Sequence, residues 1–156
     1  MIKIENYKLF VNSKDFEYLV KKAEIELAGS KLPYSESLKK YLKKCINDES
    51  ILVLYENELP IGFYIIYINN RRVELSFTYI VSQYRNKGYS HELRIAAIEK
   101  FKDKYDKIET YILKNNIASL KGLEKLLEIY KPQYEKKQIV DQFGNQSYHF
   151  IIQGFK

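Results

Sequence analysis

The segment from Gly62 to Ile68 is almost continuously apolar and reads GFYIIYI. A strand of that composition needs cover on both faces, because a strand with one solvent-exposed face alternates apolar and polar residues. We therefore expect a sheet that carries helices on both sides. The chain has 156 residues. We expect them to form a single domain, residues 1–156, since a chain of about 150 residues buries roughly 68–70% of its unfolded surface.

The elements around this strand follow from periodicity and from turn residues. Apolar residues at helical spacing predict four helices, at about 16–27, after Pro33, at about 93–104 and at 116–130. Asn12 or Ser13 is the expected cap of the first helix. Further strands are predicted at 51–55, 73–81, 107–113, 134–141 and 146–152. This order predicts a three-layer α/β (α+β) domain built on a mixed sheet.

The composition excludes several classes of site and location. Cys45 is the only cysteine, so an internal disulfide or a multi-cysteine zinc site cannot form, and we expect a reducing, cytoplasmic environment. With only two histidines we predict no metal site. No apolar run approaches the roughly 18–20 residues of a membrane span, and the first residues lack a signal-peptide core. We therefore predict no membrane partner.

The formal net charge of +6 leaves the partner open. A basic protein can bind nucleic acid, an anionic membrane surface or a phosphate-bearing cofactor, or it can carry the charge for solubility alone. The 15 tyrosines are scattered over every predicted element instead of clustering with arginine on one face, as a base-stacking surface would require. We therefore predict no nucleic-acid partner.

The segment from Ile80 to Ser90, IVSQYRNKGYS, lies between a predicted strand and a predicted helix. The first backbone N–H groups of a helix have no intrahelical partner, and together with the helix dipole they favour a bound anion, above all a phosphate. Gly88 permits a tight turn and a close approach to the backbone. Arg85 and Lys87 add positive charge, so the loop predicts either a phosphate site or an ordinary basic connection on the surface.

The pattern Arg85-x-x-Gly88-x-Ser90 resembles the acetyl-CoA loop of GNAT-type N-acetyltransferases, Arg/Gln-x-x-Gly-x-Gly/Ala, with Ser90 in place of Gly or Ala. Asn116-Ile-Ala-Ser119 is similar to the second CoA element of that family, an Asn that opens a helix with a small residue three positions later. The order of elements is also similar, with 2–5 as the first strand. The resemblance implies the GNAT fold, with a central mixed, mostly antiparallel sheet of about six to seven strands and helices on both faces. It also implies acetyl-CoA as cofactor.

The resemblance implies roles for the residues of these motifs. Main-chain groups of Ile80 and Val81 would pair with the pantetheine arm, and the Ile80 N–H would also polarise the thioester carbonyl. Asn116 and Ser119 would touch the pantetheine or the adenosine end. The pyrophosphate would be held by the backbone amides of Arg85, Asn86, Lys87, Gly88, Tyr89 and Ser90.

The chemistry needs a base, because the attacking amine must lose a proton. Glu74 is the candidate, since it lies eleven positions before Arg85, where many members of the family place a carboxylate; Glu109 is the second choice. The simpler interpretation of Glu74 is an outward-facing charge on an alternating strand.

Many members of the family carry a tyrosine seven residues after the helix-opening Asn. That position is Leu123 when counted from Asn116 and Gly122 when counted from Asn115, and neither residue can donate a proton. Either Tyr130 or solvent would then protonate the leaving thiolate.

The sequence thus predicts an acetyl-CoA-dependent N-acetyltransferase that acetylates a primary amine of a small molecule or peptide by direct attack in a ternary complex. The missing tyrosine keeps a second interpretation open, a GNAT-like domain that binds acyl-CoA and has regulatory or vestigial activity. A basic nucleic-acid-binding module is a third class, which the charge permits and no motif supports. Both a monomer and a homodimer are compatible with the sequence.

Overall fold

A computed structural model describes residues 1–8, 10–27, 50–140 and 144–154. The helix predicted after Pro33, which contains Cys45, lies outside these residues. Within the described ranges no helix is long and apolar enough to cross a membrane. In the same ranges no three His, Cys, Asp or Glu side chains are grouped so that they could hold a metal ion.

Seven strands and three α-helices make up the described parts of the chain. The strands are β1 (Ile2–Asn6), β2 (Ile51–Glu56), β3 (Leu59–Asn69), β4 (Arg72–Ile80), β5 (Lys107–Leu113), β6 (Gln133–Val140) and β7 (Gln146–Gln153). The helices are α1 (Ser13–Leu27), α2 (Tyr89–Phe101) and α3 (Ile117–Tyr130), with a short 3-10 helix at Ser82–Tyr84.

The strands form one sheet in the order β1-β2-β3-β4-β5-β7-β6. β4 and β5 run parallel, and the other neighbouring strands in the sheet run antiparallel. The predicted mixed, mostly antiparallel sheet of about six to seven strands is therefore confirmed.

Helices cover both faces of the sheet, as the apolar composition of β3 requires. On one face α1 packs through Phe16 and Leu19 against Phe63 of β3, in a cluster of almost fully buried side chains. On the other face Leu93 of α2 and Leu126 of α3 share a second buried cluster with residues of β2 to β5. The core therefore consists of two apolar layers with the sheet between them.

Local sequence explains where most elements begin and end. Asn57 and Glu58 in the β2–β3 turn have φ of 49° and 70°, and Asn70 in the β3–β4 turn has φ of 54°. These positive values are typical of tight hairpin turns. The Asn116 side chain accepts the Ser119 N–H at 3.2 Å and is the predicted cap of α3.

Local hydrogen bonds specify the ends of two predicted helices. α2 ends at Phe101 and does not reach Lys104, because the Lys104 N–H binds the Phe101 carbonyl and tightens the chain into a turn. Asn12 directly precedes α1, and its carbonyl accepts the Phe16 N–H at 3.1 Å, while its side chain binds residues before the helix. Its Oδ1 accepts the Lys8 N–H at 2.8 Å and its Nδ2 donates to the Asn6 carbonyl at 3.0 Å, so Asn12 secures the connection between β1 and α1.

Candidate active site

β4 and β5 separate partway along their length. Their parallel register stops at the pair Leu75–Thr110, although β4 continues to Ile80. Ser76 is the extra residue of a β-bulge opposite β3, and a bulge bends its strand and increases the local twist. The Thr110 hydroxyl donates to the Leu75 carbonyl at 3.0 Å and closes the inner end of the separation. We call the space between residues 76–80 of β4 and 111–113 of β5 the β4–β5 gap.

The edge of β4 that faces this gap carries main-chain groups of Thr78 and Ile80. The Val81 N–H donates to the Ile61 carbonyl on β3 at 2.8 Å, so antiparallel alternation directs the groups of Ile80 and Thr78 away from β3. The Val81 carbonyl accepts a hydrogen bond from the end of the 3-10 helix. Both main-chain groups of Val81 are therefore occupied within the chain, whereas those of Thr78 face the gap.

The start of α2 presents backbone donors to the loop before it. Gly88 is the N-cap, with φ of 81° and ψ of 10°, a left-handed conformation that favours glycine, and it supplies no capping side chain. The Glu92 N–H donates to the Gly88 carbonyl at 3.1 Å and starts the hydrogen-bond ladder of the helix. The N–H groups of Tyr89, Ser90 and His91 precede that ladder. They point out of the positive end of the helix dipole, where an anion is stabilised.

The loop side chains point in different directions. Asn86 and Lys87 are exposed, and Asn86 adopts a left-handed φ of 64°. The Arg85 guanidinium turns toward α1, where its Nε donates to the Ile80 carbonyl at 2.8 Å and its Nη2 donates to Glu26. The charge of Arg85 is therefore paired with a carboxylate, so the backbone amides and Lys87 are the groups left for a phosphate.

Glu74 lies on β4 two residues before the bulge. Its neighbours Val73 and Leu75 are buried in the cluster under α2 and α3, so strand alternation directs Glu74 to the opposite face, the face of α1. The carboxylate is half-buried, and its Oε2 accepts a hydrogen bond from the Ser76 hydroxyl at 2.5 Å. Glu74 thus borders the inner end of the β4–β5 gap.

Glu109 on β5 is in register with Glu74, but its surroundings differ. Its side chain is 7% exposed and accepts two hydrogen bonds from Arg72, at 2.8 and 2.6 Å. His149 Nε2 lies 3.0 Å from its Oε1, and the His149 ring stacks on Tyr111. Burial raises the pKa of Glu109, but the hydrogen bonds and charges of Arg72 and His149 outweigh burial and lower that pKa. A carboxylate held in this way is a poor proton acceptor.

Replacing Glu109 by Gln should lower the free energy of unfolding at neutral pH by about 2 kcal/mol, because Arg72 and His149 lose a charged hydrogen-bond partner. The pKa of Glu109 is lower in the folded chain than in the unfolded chain, so its contribution is present at neutral pH and is lost as the pH falls through the folded value. The stability difference should therefore shrink as the pH falls to about 3. Urea unfolding at both pH values measures the difference.

Glu135→Gln is a matched control for this change. Glu135 lies on β6 and pairs with Lys137 at 3.4 Å, and both side chains are exposed. Loss of such a pair changes stability by less than about 1 kcal/mol. If Glu109→Gln costs no more than the control, or if its cost is the same at both pH values, the stabilising role of the cluster is wrong.

The first turn of α3 is tied to α2. The Ser119 hydroxyl accepts a hydrogen bond from Arg94 Nη2 at 2.7 Å, and the Ser119 carbonyl accepts one from Nη1 at 3.2 Å. Asn116 holds the same turn through the Ser119 N–H. The two α3 residues expected near CoA thus fix the end of this helix beside α2.

Neither Leu123 nor Tyr130 supplies a general acid at the β4–β5 gap. Leu123, where many members of the family carry the tyrosine, is fully buried in an apolar cluster. Tyr130 lies at the opposite end of α3 and donates to Glu99 at 2.5 Å. Burial and this hydrogen bond raise the pKa of Tyr130 to about 12. A phenol so engaged is unsuited to protonating a leaving thiolate.

Sequence reasoning missed Thr78 and Arg94. Thr78 sits two residues before Ile80, and strand periodicity places it on the same edge. Arg94 reads as one more basic surface residue, yet it is only 9% exposed. A signal was available, since Arg94 stands at helical spacing from Ala97, Ile98 and Phe101, all of which are buried.

The model of the Acetyltransferase (GNAT) family matches residues 17–129 of the chain. This range includes most of α1, the β4–β5 gap, the loop that contains Gly88 and nearly all of α3. A search of curated protein sequences finds no match.

Solved structures are similar in fold over nearly the whole chain. A chain of the NatC complex bound to Gag peptide and CoA has a TM-score of 0.71 at 16% identity, with 98% of both chains covered. The ribosomal-protein-S18-alanine N-acetyltransferase from Escherichia coli has a TM-score of 0.69 at 11% identity, covering 100% of this chain and 95% of that one.

A third similar structure contains a small substrate. It is the diaminobutyrate acetyltransferase EctA from Paenibacillus lautus, in complex with L-2,4-diaminobutyric acid and coenzyme A. Its TM-score is 0.66 at 13% identity, with 100% of this chain and 96% of that chain covered. At such identities the three likenesses show a shared fold.

Proposed function

The chain belongs to the GNAT acetyltransferase family, which uses acetyl-CoA, and from this premise we propose that it transfers acetyl to a primary amine by direct attack in a ternary complex. The β4–β5 gap is the observation that carries the proposal. Main-chain groups of Thr78 and Ile80 line one edge of the gap, which leads on to the donors at the start of α2. Glu74 borders the inner end.

The described residues fit acetyl-CoA from its phosphates inward. The pyrophosphate would bind the backbone amides of residues 86–90, because the Arg85 N–H already donates to the Ser82 carbonyl at 3.2 Å. A Cβ placed on Gly88 would have no atom within 4 Å, so the surface over Gly88 is open to a phosphate. The pantetheine arm would lie in the gap and pair with main-chain groups of Thr78 and with the Ile80 N–H, since the Ile80 carbonyl already accepts a hydrogen bond from Arg85 Nε. Asn116 and Ser119 would border the arm from the β5 side.

Acetyl-CoA, when bound, supplies the acetyl group as a thioester. Thr78 is four residues from Glu74 and Ile80 is six, so the Thr78 N–H is better placed for the thioester oxygen and the Ile80 N–H for the arm. An N–H fixed in this way stabilises the negative charge that develops on the oxygen during attack. Glu74 accepts the proton that the amine loses, either directly or through one water.

We place the acceptor on the α1 face of the sheet. Glu74 is directed to that face, whereas α2 and α3 occupy the other one. The NatC structure contains a peptide and the EctA structure contains a diamino acid, so relatives with this fold are found with both kinds of molecule. For this chain the proposed acceptor is a primary amine of a small molecule or of a peptide.

Isothermal titration calorimetry with acetyl-CoA and with CoA tests cofactor binding, and we expect dissociation constants in the micromolar range, about 1–100 μM. A panel of polyamines, amino acids, amino sugars and peptides with free N-termini or lysines then tests transfer. Release of the CoA thiol is followed in time, with a reaction lacking amine as the blank. Mass spectrometry should show one added acetyl group on the accepted amine.

Each other outcome points to a different function. Absence of CoA binding would remove both the enzyme and the acyl-CoA-binding interpretation. Binding without transfer to any amine would favour regulatory or vestigial activity. Binding of a random oligonucleotide that survives moderate salt and is not competed by CoA would favour a nucleic-acid-binding module.

A further inference from the structure

Among the residues that the structure describes, Arg94 is a buried cation without a carboxylate partner. It is 9% exposed, and arginine is almost never fully buried unless it is paired. Its Nη atoms donate to the hydroxyl and the carbonyl of Ser119, which are neutral groups. Its Nε is buried and has no hydrogen-bond partner within the described part of the chain. None of the ion pairs that the described residues form includes Arg94. A buried charge in this state is costly, which suggests that an anion binds there.

Arg94 has neighbours on elements from both sides of the β4–β5 gap. Tyr64 of β3 is almost fully buried and is the cross-strand partner of Thr78 on β4, and its hydroxyl lies close enough to Arg94 for the guanidinium charge to act on it. Ser119 belongs to the first turn of α3, the helix that follows β5. Arg94 thus has Tyr64 as a neighbour on the β4 side and Ser119 on the β5 side.

α3 comes close to Arg94 at Gly122. A Cβ on Gly122 would lie 3.3 Å from Arg94 Nη1 and 3.3 Å from His91 Nδ1. The next residue is Leu123, where many members of the family carry a tyrosine. The chain therefore has no hydroxyl at Leu123, but the Arg94 guanidinium lies next to Gly122, the preceding residue.

Resting on the function proposed above, we propose that the Arg94 guanidinium holds the negative charge of the CoA sulfur as the acetyl group leaves it. The amine nitrogen bonds to the thioester carbonyl carbon and its proton goes to Glu74. The carbon–sulfur bond breaks with its electron pair on sulfur. The sulfur leaves as a thiolate beside Arg94 and later takes a proton from solvent. Arg94 thus acts in place of an acid at Leu123.

The thiolate suits this position better than the pyrophosphate does. The pyrophosphate has its own donors at the exposed start of α2, whereas Arg94 is five residues farther along the helix, about 7.5 Å along its axis. Arg94 is also buried and lies beside Tyr64, the cross-strand partner of Thr78, which is the residue proposed to bind the thioester oxygen. The anion that we expect beside Arg94 is therefore the CoA thiolate, which forms at the inner end of the gap.

The pKa of the CoA thiol in the complex tests this proposal without relying on turnover. The thiolate absorbs in the ultraviolet, so a pH titration of CoA with and without saturating protein gives the bound and the free values. A cation within about 4–6 Å should lower the pKa of the bound thiol by about one unit or more. Arg94→Met, which keeps the apolar stem, should abolish the shift, and Arg94→Lys should retain part of it.

Two further variants separate Arg94 from its surroundings. Lys100→Met removes a positive charge from the exposed side of the same helix and should leave the shift unchanged. Tyr64 and His91 are titratable groups beside Arg94, so His91→Gln tests whether the imidazole supplies the charge, and it too should leave the shift in place. In steady-state assays Arg94→Met should lower the rate at saturating acetyl-CoA about tenfold. Its affinity for acetyl-CoA should change less than about threefold.

The pKa of the CoA thiol bound to the wild-type protein is the first test of the role of Arg94. CoA that binds with an unshifted thiol pKa would overturn the role of Arg94 and leave the proposed acetyl transfer standing. A shift that persists in Arg94→Met, or that disappears in His91→Gln, would overturn it too. Failure of CoA to bind the wild-type protein would remove the proposed function, and this inference with it. If Arg94→Met does not fold, the wild-type and Arg94→Lys titrations still decide.

Discussion

Replacing Glu74 by Gln should lower the rate of amine acetylation by on the order of 10²–10³-fold, because the variant keeps the shape of the side chain and loses the proton acceptor. The Ser76 hydroxyl can still donate to the remaining amide oxygen, so the local structure of β4 should persist. CoA binding should change little, since the donors proposed for CoA are backbone groups of residues 78–90. Initial rates at saturating acetyl-CoA and amine, together with calorimetry, measure the two effects.

Glu128→Gln is the control for Glu74→Gln. Glu128 is an exposed carboxylate on α3, and its replacement changes the net charge by the same amount without touching the gap. Its rate should equal that of the wild type. Unchanged turnover in Glu74→Gln would remove Glu74 from the mechanism. A parallel loss of CoA affinity would show instead that Glu74 maintains the structure of the gap.

Helices and strands whose limits are set by residues nearby in the sequence could be predicted from the sequence. Residues 107–113 were predicted as a strand and form β5 with the same limits. The limits of α3 also follow from local signals, the Asn116 cap at its start and Pro132 after its end. The capping hydrogen bond spans three residues, so the information lies within one helical turn.

The bulge that opens the gap could not be predicted in this way. Val73, Leu75, Phe77 and Tyr79 alternate without interruption, so the pattern places all four on one face of a regular strand. The structure places the first two under α2 and α3 and the last two under α1. The change of face occurs at Ser76 and depends on how β4 pairs with β3, which no local pattern contains.

Charged side chains were the other limit of sequence reasoning. Arg85 was expected to add its charge to a phosphate site, but it is paired with Glu26, which lies 59 residues earlier in the chain. Glu109 was the second choice of base, and its partners Arg72 and His149 are 37 and 40 residues away. An ion pair changes the charge that a side chain offers to a ligand and its ability to accept a proton. Roles that depend on partners distant in the sequence could therefore be assigned only from the fold.

Replacing Gly88 by Val should weaken CoA binding by on the order of 100-fold. Gly88 has φ of 81°, a conformation that costs an L-residue about 1–2 kcal/mol, so the loop should shift. Loss of two charged hydrogen bonds between amides and phosphate corresponds to about 3 kcal/mol, or roughly 100-fold in affinity. The new side chain would also occupy the open surface over Gly88 where a phosphate would dock. Calorimetry with CoA measures the loss.

Gly144→Val separates backbone strain from loss of a binding surface. Gly144 lies between β6 and β7 and has the same φ of 81°, and an added Cβ would likewise have no atom of the described residues within 4 Å. The two variants should therefore lose similar amounts of unfolding free energy, whereas only Gly88→Val should lose CoA affinity. Equal CoA affinities in the two variants would show that the cofactor does not bind at the start of α2. In that case the +6 charge and the Gly88 loop would lose their connection to a phosphate.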